Sequence, residues 1–237
     1  MIVRSCLRDG RGGSPTAVLV GGPVPRVAVP GPSHTVWIGP GRRLRFFTAA
    51  GELPACGHGT VAALAVLGPG EHTLHAGGRT FAGRAWPQGG LVAAAFDAGP
   101  VSLRTPAAAE VAPVLAALGL AAAPTVVASV GRPRLLVPVT ARDELAGLAP
   151  DQAALTAACD AAGLLGCYVY APAGDGGRFA ARMFAPSIGV PEDIANANST
   201  ACLAAALATD VTVDMGDALG EPATITAGPR GVGGVCR

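Results

Sequence analysis

Short runs of Val, Ile, Leu and Phe, each bounded by Gly, Pro or Asp, punctuate the chain from end to end. Runs of this kind predict strands. They fall at 2–7, 16–20, 33–38, 43–48, 72–75, 79–85 and 91–97 in the first part of the chain. A strand pair within 124–139 follows, then 166–171, 178–185, 211–213, 222–227 and 232–236. A polar, Gly-rich turn from Asp9 to Pro15 separates the first two strands. Four stretches predict helices instead: 57–67, 107–119, 151–162 and 199–208. Gly68-Pro69-Gly70 stops the first of these, and Pro23, Pro25, Pro30 and Pro32 exclude a helix from 21–32.

Two of the helices share a context. Arg45-Phe46-Phe47 ends one strand, and Cys56 lies nine residues after Phe47. Arg182-Met183-Phe184 ends another, and Asp193 lies nine residues after Phe184. Each loop runs into an Ala- and Leu-rich helix, Val61 to Leu67 or Ala201 to Ala208. Neither helix carries a polar face, so both should be buried all round. The echo predicts a duplicated lobe. The expected division is a first lobe over 1–103 with its helix near 57–67, and a second over 104–237 with its helix near 199–208. The last strand is a candidate to return to the first lobe.

A buried helix start has chemistry of its own. Its first N–H groups lack partners and its end is partly positive, so burying it calls for an acceptor. The residues at the two starts are small and polar: Cys56-Gly57-His58-Gly59-Thr60 and Asn196-Ala197-Asn198-Ser199-Thr200. If both face one cleft, they would hold carboxylates or an enolate. The simpler alternative is that Asn196, Asn198 or Ser199 only caps its helix.

Composition narrows the choices. Half of the 237 residues are apolar and 14% are charged, with a net charge of +1. That balance gives no footprint for nucleic acid. The seventeen basic residues are all arginine, so a lysine Schiff base is excluded. No apolar run reaches membrane-span length without interruption, and no apolar stretch follows Arg4 and Arg8 as a signal peptide requires. A cytoplasmic location is expected. The six cysteines form no CxxC and are expected as free thiols. The four histidines are scattered, and Cys56 with His58 alone makes a poor metal site, so no metal and no cofactor are expected.

Several segments resemble the PhzF-like, diaminopimelate-epimerase-fold isomerases. Residues 46–63, from Phe46-Phe47-Thr48 through Cys56-Gly57-His58-Gly59-Thr60 to Ala63, resemble that family's "FFTP..EL.FCGHAT.AA". Arg182-Met183-Phe184-Ala185-Pro186 with Glu192-Asp193 is similar to its "R.FAP…EDPVTGSA". Gly13-Ser14-Pro15 with Ala17-Val18 resembles "GNP.AVV", and Gly220-Glu221-Pro222 resembles a late "GRPS" turn. The resemblance implies an α+β fold of two similar lobes, each a curved, mostly antiparallel sheet or barrel around a central buried helix. It places proton-transfer groups at the lobe interface. His34, in Ser33-His34-Thr35-Val36-Trp37-Ile38, stands where the family's "SET.FV" has its glutamate. His58 and Asp193 match its interface histidine and aspartate. Substrate contacts are then expected from Ser14, Cys56, Gly57, Gly59, Thr60, Asn196, Asn198, Ser199 and Thr200.

The resulting expectation is a cofactor-independent isomerase. It would shift a proton on a small carboxylated, unsaturated, cyclic amino-acid-like substrate of secondary metabolism. Its departures resemble the actinobacterial isomerases that process 4-alkylproline precursors. His34 would be the shuttle, with the alternative that it is a half-exposed strand histidine. A homodimer is left open, and no nucleic-acid or membrane partner is expected. Two rival functions remain: an amino-acid racemase using Cys56, and an inactive binding protein that kept the fold.

Overall fold

In the computed structural model, which describes residues 1–121, 123–174 and 176–237, the apolar runs form seventeen strands joined in one hydrogen-bonded network among the described residues. The first part contains β1 (Ile2–Ser5), β2 (Ser14–Val20), β3 (His34–Gly39), β4 (Arg43–Thr48), β5 (Gly51–Leu53), α1 (Gly57–Leu67), β6 (Gly70–Ala76), β7 (Arg79–Gln88) and β8 (Leu91–Phe96). The second opens with β9 (Ser102–Arg104), α2 (Ala108–Leu118), β10 (Val126–Val130), β11 (Arg132–Pro138), α3 (Arg142–Ala146), α4 (Gln152–Ala161) and β12 (Cys167–Pro172). It closes with β13 (Arg178–Ala185), β14 (Val190–Asp193), α5 (Ala197–Leu207), β15 (Val211–Met215), β16 (Ala223–Gly228) and β17 (Gly231–Cys236). The fold is α+β in two lobes.

In the first lobe the strands close on themselves around α1. The ring runs β1, β2, β3, β4, β6, β7, β8, β17 and back to β1. The closure depends on the chain's last strand, which pairs with β8 along its length and with β1 at Cys236 and Ser5. Inside it, Val61, Ala62, Ala63 and Leu64 have no exposed surface. Burying the Val and Leu side chains stabilises the lobe by roughly 1.5–3 kcal/mol each. An all-apolar helix is stable here because every face meets a strand.

The second lobe is a sheet of β9, β10, β11, β12, β13, β15 and β16, continued by β17, with α5 on its inner side. Alternation along the strands separates two cores. Val127, Leu135, Val137, Cys167, Val169 and Phe184 face outward onto α2 and α4. Ala128, Leu136, Tyr168 and Met183 face inward onto Cys202 and Leu203 of α5.

Differences from the sequence reading are local. β1 stops at Ser5 because Cys6 takes a left-handed φ of 63°, and β2 starts at Ser14. α5 starts at Ala197, two residues early, because Asn196 is the cap. The short elements β5, β9, β14 and α3 carry too few residues for a periodic signal. Segment 21–33 is helix-free, as the prolines require, and serves as the crossover that parallel β2 and β3 need. It is tied down by Trp37 Nε1 donating to the Gly21 carbonyl (2.9 Å) and by the Val29 N–H donating to Thr35 Oγ1 (2.9 Å). His34 follows immediately. No helix among the described residues is long and apolar enough to cross a membrane.

Candidate active site

The two lobes build their helix starts alike. Arg45 of β4 donates from Nε to Glu52 of β5 at 2.7 Å and lies over the Phe47 ring. Arg182 of β13 donates from Nε to Glu192 of β14 at 2.9 Å and lies over the Phe184 ring. Thr60 Oγ1 donates to the Cys56 carbonyl (2.8 Å), and Thr200 Oγ1 donates to the Asn196 carbonyl (3.0 Å). Cys56 therefore corresponds to Asn196, which lies twelve residues after Phe184, and not to Asp193 at nine. The three extra residues fall between β13 and β14, in the turn around Pro186–Ile188.

The starts meet head to head. A Cβ built on Gly57 would lie 2.7 Å from Ala197 Cβ and 2.9 Å from the Asn198 nitrogen. Only glycine fits so close an approach. Asn196 Oδ1 caps α5 by accepting from the Ser199 N–H at 2.9 Å. Cys56, at the matching place on α1, makes no side-chain cap. The first N–H groups of α1 thus keep their donor capacity.

Four side chains gather over this junction. His34 enters from the first residue of β3 and is 3% exposed, so it is not a half-exposed strand histidine. Its Nδ1 shares a hydrogen bond of 2.9 Å with Ser33 Oγ, which leaves Nε2 available. The His58 ring lies edge-on to it, with centroids 4.4 Å apart. Asp193 Oδ2 is 3.9 Å from His58 Nδ1 and accepts from Asn196 Nδ2 at 2.9 Å. Cys56 Sγ lies 3.5 Å from His58 Nε2. The cleft is small, about 50 Å³. One wall includes His34, Cys56, Gly57 and His58, and the other includes Arg132, Arg134, Asp193, Asn196 and Asn198.

A family profile for phenazine biosynthesis-like proteins matches residues 33–227. The chain belongs to this family. An uncharacterized isomerase, YddE, of Salmonella typhimurium is 31% identical over 172 residues, 66% of this chain and 57% of the relative. An uncharacterized isomerase of Deinococcus radiodurans is 33% identical over 190 residues, 71% of this chain and 59% of the relative. The match thus spans less than two thirds of these curated relatives. Two solved structures share the fold. A PhzF-family protein of Bacillus anthracis aligns over 99% of this chain and 93% of its own, with a TM-score of 0.77 and 14% identity. A protein of Pseudomonas aeruginosa described as a predicted epimerase aligns over 100% and 95%, with a TM-score of 0.78 and 24% identity.

In this phenazine biosynthesis-like chain the two imidazoles are driven apart in basicity. Burial, aided by His58, pushes His34 down to about 4, against a weaker opposing pull from Asp193. Burial also acts to lower His58, but Cys56, Asp193 and the Ala195 backbone outweigh it and raise it to about 9. At neutral pH His34 is neutral and His58 is cationic. The signs for stability are opposite. The unfolded chain binds the His34 proton more tightly, so stability falls as pH drops from 6.5 towards 4. The stability from His58 is complete below 6.5 and is lost as pH rises towards 9. Each limb is on the order of 3 kcal/mol. Thermal melts are expected to peak near pH 6.5. His34→Gln should flatten the acid limb and His58→Gln the alkaline limb. Variants that leave both limbs unchanged would contradict the assignment.

Of the residues expected at this site, His34, Cys56, Gly57, His58, Asp193, Asn196 and Asn198 line the cleft. Ser14, Gly59, Thr60, Ser199 and Thr200 do not line it. Thr200 Oγ1 lies 2.9 Å from the Tyr168 hydroxyl, and Ser14 is buried at the start of β2. The sequence reading missed Arg132 and Arg134. Their signal was present: Arg134 occupies an inward position of a strand that is apolar beyond it, in phase with Leu136. The separation of Cys56 and His58 from other metal donors is also corrected. His34 joins them, with donor atoms of all three within 4.8 Å of one another. A zinc ion with bonds of about 2.0–2.3 Å would need that trio to tighten.

Proposed function

We propose that the chain is an isomerase that moves a proton on a small unsaturated carboxylate. The observation that carries this reading is the edge-on contact of two buried imidazoles, His34 and His58, with ring centroids 4.4 Å apart; their surroundings push the two basicities in opposite directions, which divides base and acid roles at one pH. Neutral His34 takes a proton through Nε2 from the carbon next to the substrate carboxylate. The C–H electron pair moves into the adjacent unsaturated system, and the double bond shifts. The charge that develops faces the uncapped start of α1 and the His58 imidazolium. The proton then returns at the far end of the system, so substrate and product are isomers and no electrons are lost. Asp193 holds the His58 ring and its charge, and Asn196 holds Asp193.

An unsaturated cyclic amino-acid-like acid of secondary metabolism fits this chemistry. Proton exchange tests the reading: small unsaturated carboxylates, cyclic and acyclic, are incubated with the protein in D₂O and followed by NMR. The expected result is an isomerised product carrying carbon-bound deuterium. Tight carboxylate binding without any exchange would favour the inactive binding protein. A two-thiol racemase is disfavoured because the counterpart of Cys56 is Asn196. Cys56→Ser should retain exchange.

A further inference from the structure

Arg134 is the largest of the fully buried side chains, with 1% exposure. Nη1 donates to Ser199 Oγ at 3.4 Å, and Nη2 donates to the carbonyls of Arg132 (2.7 Å) and Val130 (3.5 Å). Its Nε–H is buried and meets no acceptor among the described residues. No carboxylate pairs with it among the described residues either. Acids of the same lobe are committed elsewhere: Glu192 to Arg182, and Asp214 to Arg178 and Arg8.

An ionised guanidinium removed from water is costly unless an anion compensates it. Its surroundings make this worse. Ser199 lies in the first turn of α5, so a partly positive helix end sits beside the charge. Arg132 is a second positive neighbour, and burial first and Arg132 next push the Arg134 pKa down. Both arginines line the cleft opposite Gly57 and His58. Positive features thus approach the cavity from two sides, with the uncapped α1 start on one and the guanidinium on the other.

We propose that Arg134 receives a second anionic group of the substrate, so that the natural ligand is a dicarboxylate spanning the cleft from the α1 start to the guanidinium. This rests on the reading of the cleft as the site of proton transfer. The guanidinium charge attracts a carboxylate, and the vacant Nε–H supplies a charge-assisted hydrogen bond to it while Nη1 and Nη2 stay held by Ser199 and the strand carbonyls. Arg134 is then a specificity-determining residue: it selects acids with two charges over acids with one.

Calorimetric titration tests this with malonate and succinate as dicarboxylates, propionate as the monocarboxylate and inorganic phosphate as a competing anion. Wild-type protein is expected to bind at least one dicarboxylate about tenfold or more tightly than propionate or phosphate. Arg134→Met should bring dicarboxylate binding down to the propionate level while leaving propionate unchanged. Arg134→Lys, which keeps the charge and loses the Nε–H donor, should fall between them and serves if the methionine variant does not fold. Equal binding of mono- and dicarboxylates by wild type, a preference for phosphate, or undiminished dicarboxylate binding by both variants would overturn the proposal. The two readings fail separately. Arg134-dependent dicarboxylate binding without deuterium exchange would sink the isomerase and leave the anion subsite standing. Exchange on monocarboxylates that is indifferent to Arg134 would do the reverse.

Discussion

His34→Gln is expected to lower kcat for proton exchange by about 10²- to 10⁴-fold, the usual contribution of a general base, with a smaller change in KM. Glutamine keeps a polar group near Ser33 but cannot take a proton. The readout is deuterium incorporation per unit time at saturating substrate. The informative companion is His34→Glu. A carboxylate at this position faces the same His58 imidazolium, 4.4 Å away between ring centroids in the parent. It should recover part of the lost rate, because the chemistry needs a proton acceptor at this point and not an imidazole as such. Full activity in His34→Gln, or no gain on going from Gln to Glu, would remove His34 from the role of base.

Gly57→Ala should be damaging out of proportion to one methyl group. Its Cβ would stand 2.7 Å from Ala197 Cβ and 2.9 Å from the Asn198 nitrogen, the second of these being backbone that cannot rotate away. The two helix starts must separate, which shifts the α1 N–H groups and the His58 ring relative to Asp193. Overpacking of this kind costs about 1–3 kcal/mol in stability. A misplacement of about 1 Å at a reacting centre costs on the order of 10²-fold in rate. Denaturant unfolding and kcat/KM, measured on the same preparation, check both. The second change Ala197→Gly removes one of the two close contacts and should return part of the stability, giving a non-additive double-mutant cycle. Additive effects would mean that the two helix starts do not touch.

Much of the architecture was legible in the chain. The apolar stretch from Val61 to Leu67, preceded by Gly57-His58-Gly59-Thr60 and ended by Gly68-Pro69-Gly70, predicts a buried helix over 57–67, and the structure has it with those bounds. The echo between Arg45-Phe46-Phe47 and Arg182-Met183-Phe184 announced two related lobes, and both arginines turn out to hold a glutamate on the next strand. The sequence offered the last strand as a candidate to return to the first lobe, but local patterns could not give its pairing, because the closure joins β1 to β17 across the whole length of the sequence. The sequence offered Asp193 or Asn196 as the counterpart of Cys56, because counting from Phe184 ignores three residues inserted in a turn; the cap at Asn196 marks the start of α5. Arg134 was overlooked for a different reason. A charged residue near the start of the strand Arg132–Pro138, two places after Arg132, looks like a solvated position until the inward phase is counted, and that phase depends on which neighbours cover each face.

The account depends on His34 being the neutral and His58 the protonated imidazole where the lobes meet, and titration of histidine ¹⁵N resonances reads this directly. Single His→Asn variants assign the signals. His34 is expected to titrate near 4 and His58 near 9, on either side of the ordinary 6.5. His34 and His58 titrating together near 6.5 would show that the helix junction leaves them alike, and neither could then be assigned as base or acid.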